Sequence, residues 1–447
     1  MSSCILCILP NTLYRKSLVE KISLIYNISE CVIWEHPCYF TRYNFNKKKL
    51  IFHRATLKAY FDRIAKLFSK SRYISFNESF KVNKKCSLYV FDSVNIISEL
   101  QGYNFHVIGT PNFLLSVQDL NFIKSRYEKR HHSSSTPPYN PFFKYNAIHF
   151  VKEINDNMEI TVLNENNKKN TIHYKFFRQS FIESKKGDYN TYVNEATSYV
   201  NSLFSNNTGH VHDFIFPINH EEARLWFCRE IQRISFDETI LNDDVRTLFV
   251  SFDVILSSCL NVGLLNPIEI IHTMKDMTHK VSRKIFFNIK DKLLYREYKR
   301  FLYIHYRNHL TSISQSFHFN NRLTNIWYKG ETAMYPVNSI IEKSVHHCMI
   351  SDNEAIYVVG SYMLVKQINA EYVFKWFMEM STDSHEWFVF FNVYAVLYQK
   401  KLMNRLLKNS TKLRMMFGFD QKFEWPKIWD EAIYAFIRKH NKNHNKS

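Results

Sequence analysis

Glycine is scarce in this chain, with eight residues in 447 positions. Soluble proteins average about 7% glycine, so the scarcity excludes a collagen-like, linker-rich or glycine-looped low-complexity protein. No glycine-rich phosphate loop follows the first apolar run, residues 4–9. A dinucleotide site of that kind therefore has no support in the sequence.

Long apolar runs are also missing, and none approaches the roughly 18–20 residues that a bilayer span requires. The longest candidate, residues 248–265, is interrupted by Asp253 and Asn261. The N-terminal run at residues 4–9 is too short for the hydrophobic part of a signal peptide. We therefore expect no membrane span and no export, and predict an intracellular protein, nuclear or cytoplasmic, with the virion as an alternative location.

Cysteine is present without a pattern, because the eight residues fall at irregular spacings. In a chain of this length, such spacing indicates a reducing compartment and not a disulfide framework. Cys4 and Cys7 lack a second pair at zinc-ligand spacing, and strand geometry would place them on opposite faces, so we interpret them as core. The adjacent pair His346 and His347 lacks the i,i+4 spacing of helical metal ligands. We predict no metal site.

Positive charge is what the chain has in excess, since 59 Lys and Arg against 41 Asp and Glu give a formal net charge of +18. This excess favours an anionic partner, nucleic acid first and an acidic membrane surface second. The alternative is an AT-rich genome, whose codons favour Lys, Asn, Ile, Tyr and Phe. With 45% hydrophobic and 16% aromatic residues, the chain can form globular domains, which excludes disorder as a whole.

The order of the patterns divides the chain into four regions. Residues 1–130 alternate short apolar runs with helical periodicity, including a helix predicted over residues 56–68, and indicate an α/β domain with a parallel sheet. Residues 131–188 combine a proline-rich linker with a short β insertion predicted from residue 148 onward. Residues 189–437 are helical by pattern, and residues 438–447 form a basic tail.

Two stretches, residues 39–49 and 124–130, interleave cations with aromatic rings. Proteins that bind phosphate backbones and single strands use this combination. Ordinary solvated surface is the alternative interpretation. The nucleic-acid-binding residues predicted from these stretches are Lys47, Lys48, Lys49, Arg126, Lys129 and Arg130.

Several further segments occur in a recognisable order. They include residues 8–13, 35–60, 111–120, 216–223, 260–265, 327–330 and 376–394. Together they resemble the deoxyribodipyrimidine photolyase-related proteins, the iron–sulphur branch of the photolyase/cryptochrome superfamily. The resemblance implies an α/β N-terminal antenna domain with a Rossmann-like parallel sheet. It also implies an all-α C-terminal domain that holds FAD and, where present, a four-cysteine iron–sulphur cluster.

Active members of that family flip a dimerised pyrimidine out of the duplex, and photo-excited reduced flavin splits the dimer by electron transfer. The resemblance therefore implies a flavin pocket in the helical domain. Trp376 and Trp387 are candidate electron relays, with helical core as the interpretation that we prefer. The candidate cofactor-binding residues are Ser257, Asn261, Arg296, Glu297, Asp383 and Asn392.

The sequence departs from the family at the flavin pocket. Asp253 and Val254 stand where His or Ser is expected beside the flavin phosphates, and a carboxylate there would repel a diphosphate. Ser351 and Asp352 occupy the places of paired histidines that donate protons, and Ser361 that of an Asn beside the flavin ring. We therefore predict no catalytic residue for light-driven repair.

The cluster and the segment after Tyr394 also differ from the family. Pro336 stands where one cluster cysteine is expected, and no cysteine follows Cys348, so the four thiolates of a cubane are missing. Residues 397–408 replace a glycine-containing segment; we predict a basic amphipathic helix there and a filled or reshaped cavity. Its nucleic-acid-binding candidates are Lys400, Lys401 and Arg405.

Three functions follow from this sequence. The preferred one is a photolyase-like protein without FAD, cluster or enzymatic repair, retained as a DNA-associated or structural component, with protein partners in a virion. The second is an active FAD-dependent DNA photolyase or a cryptochrome-like light sensor. The third is a non-enzymatic nucleic-acid-binding module, whose affinity would fall steeply as salt is added.

Overall fold

The computed structural model describes residues 4–82, 86–95, 99–131, 135–151, 188–236, 245–277, 280–420 and 424–441. The N-terminal region folds around five strands: β1 (Cys4–Ile8), β2 (Glu30–Trp34), β3 (Lys70–Ile74), β4 (Ser87–Phe91) and β5 (Phe105–Ile108). They stand in the order β3-β2-β1-β4-β5, and every neighbouring pair is parallel. The predicted α/β fold with a parallel sheet is confirmed.

The helices whose bounds are described in this region are α1 (Lys16–Ile25), α2 (Pro37–Phe40), α3 (Lys47–Ile64) and α4 (Val117–Glu128). The sequence predicts only residues 56–68 of the third as helical. The structure begins α3 at Lys47, because the Asn46 side chain accepts a hydrogen bond from the Lys48 N–H at 2.9 Å and so caps the helix. Most of α3 is buried, including polar residues, and this masks the helical periodicity.

The rest of the described chain is helical, which confirms an all-α C-terminal region. Three π-helical segments, Tyr139–Phe143, Ala355–Gly360 and Phe391–Leu397, interrupt the α-helices. The α-helices are α5 (Lys144–Phe150), α6 (Asp188–Leu203), α7 (His220–Phe236), α8 (Val245–Val262), α9 (Pro267–Asp276), α10 (Arg283–Gln315), α11 (Ile326–Lys329), α12 (Tyr335–His347), α13 (Asp352–Glu354), α14 (Ser361–Val365), α15 (Ala370–Met380), α16 (Glu386–Phe390), α17 (Met403–Leu406), α18 (Ser410–Phe417) and α19 (Trp425–Asn441).

Helix α10, with 33 residues, is the longest described element and organises the helical region. Its buried residues extend from Phe286 to Ser314 and pack against α5, α16 and the π-helical segment Phe391–Leu397. One continuous apolar core includes residues of this region and of one face of the sheet, while the other face has its own smaller core. Within the described residues, no helix has the length and apolar character that crossing a membrane would take.

Two predicted elements differ from the structure. Ile148, where the predicted β insertion begins, lies in α5, and residues 152–187 lie outside the described residues. Residues 397–408 form no single amphipathic helix, because the backbone leaves the helical conformation at Gln399. A 3₁₀ turn at Lys400–Leu402 and the four-residue α17 follow.

Candidate functional site

A cleft of about 820 Å³ opens beside α8 and the N-terminal half of α10. Asp253 and Ser257 line it from α8, and Lys292 and Arg296 line it from α10. Residues four apart share a helix face, so each helix turns its pair of polar side chains toward the cleft. Asp383, in the loop after α15, completes the polar lining from a third element.

The charged side chains of this cleft pair with one another. Burial raises the pKa of the Asp253 carboxyl, and the neighbouring Lys292 ammonium opposes that shift. The Lys292 ammonium therefore weakens the repulsion between Asp253 and an anionic ligand. Because Lys292 is paired with Asp253, its charge adds little attraction for that ligand. The three ion pairs are Lys292–Asp253, Lys299–Asp352 and Lys144–Asp291.

Lys299 is the most deeply placed of these lysines, with 3% of its side chain exposed. Its ammonium lies 3.7 Å from the centroid of the Phe388 ring and donates to Oδ2 of Asp352. The Asn392 amide donates to Oδ1 of the same carboxylate at 2.9 Å. Asp352, in the place where the resemblance expects a proton-donating histidine, is therefore a carboxylate held between a buried cation and an amide.

Arg296 and Glu297 connect the helical region to the loop that precedes α4. The Arg296 guanidinium donates to the Asn112 carbonyl at 2.6 Å and to Oδ1 of Asn261 at 3.1 Å. Burial lowers the pKa of Arg296 to about 10. The Glu297 carboxylate accepts the Leu114 N–H at 2.9 Å. Both side chains are thus engaged with the protein itself.

Asp383 carries a carboxyl group that is 5% exposed at the edge of the cleft. Burial raises its pKa to about 7. The Ser381 hydroxyl donates to this carboxyl at 2.6 Å, and the Asn261 amide donates to the Asp383 backbone carbonyl at 2.8 Å. A carboxyl with such a pKa changes protonation state near neutral pH.

Three of the predicted cofactor-binding residues, Ser257, Arg296 and Asp383, lie on the cleft surface. Asn261 and Asn392 lie behind it and hydrogen bond to residues that line it. Glu297 points toward the N-terminal region instead, because it accepts backbone N–H groups of the loop before α4. The structure therefore brings part of the predicted set together, and cofactor binding by these residues stays a prediction.

Other departures from the family pattern lie away from the described lining of the cleft. Ser361 is buried and donates to the Ile356 carbonyl at 2.8 Å. His346 and His347 are exposed at the end of α12. Residues 397–408 do not belong to the described lining of the cleft, and the expectation of a filled or reshaped cavity stays a prediction.

A rim of cations around one aromatic ring at the start of α10 is a feature that the sequence analysis missed. The Phe287 side chain is 45% exposed and lies between the Arg283 guanidinium and the Lys290 ammonium, each 5.6 Å from its ring centroid. Lys284 is exposed on the same turn and lines the cleft. The signal was the i,i+3 and i,i+4 spacing of cations about one ring on an amphipathic helix.

The structure contradicts the nucleic-acid prediction at two positions. Lys48 and Lys49 are 2% and 1% exposed. The Lys48 ammonium donates to the His346 carbonyl, and that of Lys49 donates to the carbonyls of Met378 at 3.0 Å and Ser384 at 2.6 Å. Burial lowers the pKa of Lys49 to about 8. Because these lysines join α3 to the helical region, the prediction that they bind nucleic acid is wrong.

The remaining predicted nucleic-acid contacts lie on three separate parts of the chain, away from the described lining of the cleft. Their role stays a prediction. The exposed ones are Lys129, Arg130, Lys400, Lys401 and Arg405, and the half-buried ones are Lys47 and Arg126. Among the residues that the structure describes, no group of three or more His, Cys, Asp or Glu is placed to hold a metal ion.

The volume and the charges of the cleft differ in how well they suit a flavin dinucleotide. Its volume lies within the roughly 300–1,000 Å³ of ligand pockets. Its deeper lysines are paired with aspartates, and Arg296 donates to a backbone carbonyl and an amide. A diphosphate would compete with these contacts and meet the carboxylates of Asp253 and Asp352, whose repulsion is reduced by solvent because they are 36% and 38% exposed. The size of the cleft fits FAD, but its charges do not.

No protein-family model matches the chain. An uncharacterized protein of Acanthamoeba polyphaga mimivirus is 28% identical over 105 residues, which cover 23% of this chain and 80% of that protein. The (6-4) photolyase of Agrobacterium fabrum is 22% identical over 204 residues. That match covers 43% of this chain and 39% of the enzyme.

Solved structures resemble the whole described fold. A class III photolyase from Agrobacterium tumefaciens matches with a TM-score of 0.54 at 11% identity, covering 99% of this chain and 98% of that one. A Synechocystis cryptochrome matches with a TM-score of 0.55 at 14% identity, covering 96% and 92%. A Sulfolobus tokodaii photolyase, solved with two FAD molecules, matches with 0.52 at 12%, covering 99% and 100%. The chain therefore has the fold of photolyases and cryptochromes.

Proposed function

We propose that this photolyase-fold protein binds nucleic acid along the rim of its cleft and performs no flavin-driven repair. The observation that carries the proposal is the division of charge in the cleft. Within the cleft, Lys292 and Lys299 are paired with aspartates, and at the rim Arg283 and Lys290 each lie 5.6 Å from the centroid of the exposed Phe287 ring. Cations bind phosphates and an exposed ring stacks on bases, so the rim has both groups that a single-strand contact uses.

The proposed loss of repair is supported by the acids within the cleft. Asp253 and Asp352 occupy positions where the resemblance expects groups that contact the flavin phosphates or donate a proton. A carboxylate does neither in its ionised form, because it accepts hydrogen bonds and repels phosphate. We also propose that the protein holds no iron–sulphur cluster, since no cysteine follows Cys348.

We also propose that the protein is located in a virus particle or another DNA-containing assembly. The net charge of +18 and the sequence similarity to a mimivirus protein support it. Basic proteins associate with nucleic acid through counterion release, with little dependence on base sequence. We therefore propose DNA in bulk, and not one lesion, as the partner.

A second candidate function is an active flavoprotein, and the cleft itself favours it. The volume of about 820 Å³ is open, and Ser257, Arg296 and Asp383 line it. The Trp387 ring lies 5.1 Å from the Arg296 guanidinium carbon, so an electron relay would have an aromatic group beside the cleft.

One experiment separates the two candidates. The purified full chain is incubated with excess FAD and desalted, and its visible absorbance is recorded. Binding of a fluorescent single-stranded oligonucleotide is then measured by anisotropy at several salt concentrations. We expect no stoichiometric flavin and an affinity that falls steeply with salt. Stoichiometric flavin with light-dependent loss of pyrimidine dimers would support the second candidate and overturn the first.

A substitution at the rim tests whether Phe287 contacts the oligonucleotide. Phe287→Ala removes the stacking surface and should weaken oligonucleotide binding about tenfold, within the range measured for base–aromatic stacking. Tyr434→Ala on α19, where the ring is 53% exposed, is the matched control and should leave the affinity unchanged. Equal effects of the two substitutions would contradict the assignment of the rim.

A further inference from the structure

Four exposed histidines from two segments of the helical region meet beside the start of α3. The His210 ring stacks on the His346 ring, with centroids 4.4 Å apart and planes 14° from parallel. The His347 ring lies 6.3 Å from that of His346, and His212 is near enough to His210 to affect its pKa. This histidine cluster is separate from the described lining of the cleft, so the proposed function does not yet use it.

Cations dominate the surroundings of His210. Burial lowers its pKa below the ordinary value, and nearby His346, Lys48, His212 and Lys47 lower it further. The Lys48 ammonium reaches this place by donating to the His346 backbone carbonyl. Each added proton therefore meets other positive charge, and the cluster gains protons readily only when an anion offsets that charge.

Three elements contribute the titratable and charged groups around the cluster. Helix α12 ends there, and the negative end of its dipole favours protonated imidazoles in its last turn. Helix α3 begins there, and its positive end adds to the attraction for an anion. The groups are Lys47 and Lys48 from α3, His210, His212 and Asp213 from the loop before α7, and Glu342, His346 and His347 from α12.

We propose that the histidine cluster, together with Lys47, binds the phosphate backbone of a nucleic acid with uptake of protons. This inference rests on the proposed function and adds a pH-regulated contact to it. The lysines disfavour a metal cation at the same imidazoles, because like charges repel. A strand with several phosphates is favoured over a single phosphate ion, since one exposed ion pair contributes only about 0–1 kcal/mol.

The direction of the pH effect follows from linkage. The His210 imidazole, whose pKa is lowered by burial and by the nearby cations, is neutral at neutral pH, so phosphate binding must supply the free energy that protonates it. As the pH falls toward this lowered pKa, less of that free energy is needed, so the affinity rises. Each proton taken up on binding can change the affinity by up to about tenfold per pH unit.

The test measures anisotropy of a labelled single-stranded DNA oligonucleotide at about pH 7.5 and about pH 5.5, at constant ionic strength, on either side of the ordinary imidazole pKa. The unmodified chain should bind about tenfold more tightly at the lower pH. The double variant His210→Gln, His346→Gln should lose most of this gain. His106→Gln, an exposed histidine on β5, is the matched control and should keep the full gain. Equal gains in the double variant and the unmodified chain would overturn the inference.

Two further arms separate the sources of phosphate and the two proposals. If inorganic phosphate alone binds the cluster with the same pH dependence and affinity as the oligonucleotide, the nucleic-acid assignment is overturned. Phe287→Ala should weaken binding at both pH values, since the ring that it removes carries no charge. If Phe287→Ala has no effect while the histidine-dependent gain persists, the rim proposal fails and this inference stands.

Discussion

The cleft and the contact between the two regions of the chain both concentrate charge, but they expose it differently. In the cleft, the side chains of Lys292 and Asp253 are 40% and 36% exposed. At the contact, Lys49 and Arg300 are each 1% exposed and donate to backbone carbonyls. A ligand can reach the first set, whereas the second set holds helices and loops together. Charge alone therefore does not identify a binding site in this molecule.

The buried acids Glu99 and Asp383 allow the same comparison between the two places. At the contact between the regions, Glu99 accepts the hydroxyls of Tyr39 and Ser93, each at 2.5 Å, and burial raises its pKa to about 7. In the cleft, burial raises the pKa of Asp383 to about 7 as well. The same shift arises at both places, so a raised carboxyl pKa does not by itself identify a ligand site.

Glu297→Ala should have the largest effect of the predicted changes. It removes the acceptor for the Leu114 and Leu115 N–H groups and the carboxylate beside the buried Arg296, while Arg300 keeps its ion pair with Asp92. We expect a loss of about 3–5 kcal/mol in the free energy of unfolding, measured with urea. Asp291→Ala, which removes a carboxylate 46% exposed in the cleft, should cost less than about 1 kcal/mol. Similar losses for the two would break the comparison.

Glu99→Gln should change how stability depends on pH. The folded chain keeps a proton on Glu99 up to about pH 7, whereas the unfolded chain releases it near 4.5, so this contribution to stability is present in acid and is lost as the pH rises. Between about pH 5 and 7.5, the unmodified chain should lose about 2 kcal/mol more unfolding free energy than the variant. Glu128→Gln, at an exposed position on α4, is the control and should behave like the unmodified chain in chemical denaturation.

Asp253→Asn should have the smallest effect on stability and a small effect on ligand affinity. It releases Lys292 from its ion pair and removes one carboxylate from the cleft. We expect FAD affinity, followed by quenching of flavin fluorescence, to rise about fivefold, as for a partly exposed charge contact of about 1 kcal/mol. Asp276→Asn, at the end of α9 and away from the described lining of the cleft, should leave it unchanged. No difference between these variants would show that carboxylates do not exclude the flavin.

Much of the fold was predictable because its signals are local. Short apolar runs such as residues 87–91 and 104–108 indicate strands, and β4 and β5 lie there. The start of α3 was missed, since its periodicity is hidden where Lys48 and Lys49 are buried. The β insertion was wrong at Ile148, because a short apolar stretch fits a helix and a strand equally well.

The site was predictable in part. The resemblance located Ser257, Arg296 and Asp383, which share the cleft surface. It misplaced Glu297, because the sequence does not show which face of α10 meets the N-terminal region. The rim around Phe287 was missed, since an exposed ring and a core ring look alike in a helical pattern.

The amino-acid sequence by itself determined the parallel α/β region, the helical region after it, the positive charge and the absence of cysteine after Cys348. Periodicity and composition act over a few neighbouring residues, so they can be read without the fold. The tertiary structure alone decided which charged side chains a ligand can reach. The Lys49 ammonium is buried against the carbonyls of Met378 and Ser384, more than 300 positions along the chain, whereas Arg283 beside the Phe287 ring stays exposed. Burial depends on such distant contacts, and burial separates a structural charge from one that can bind a ligand.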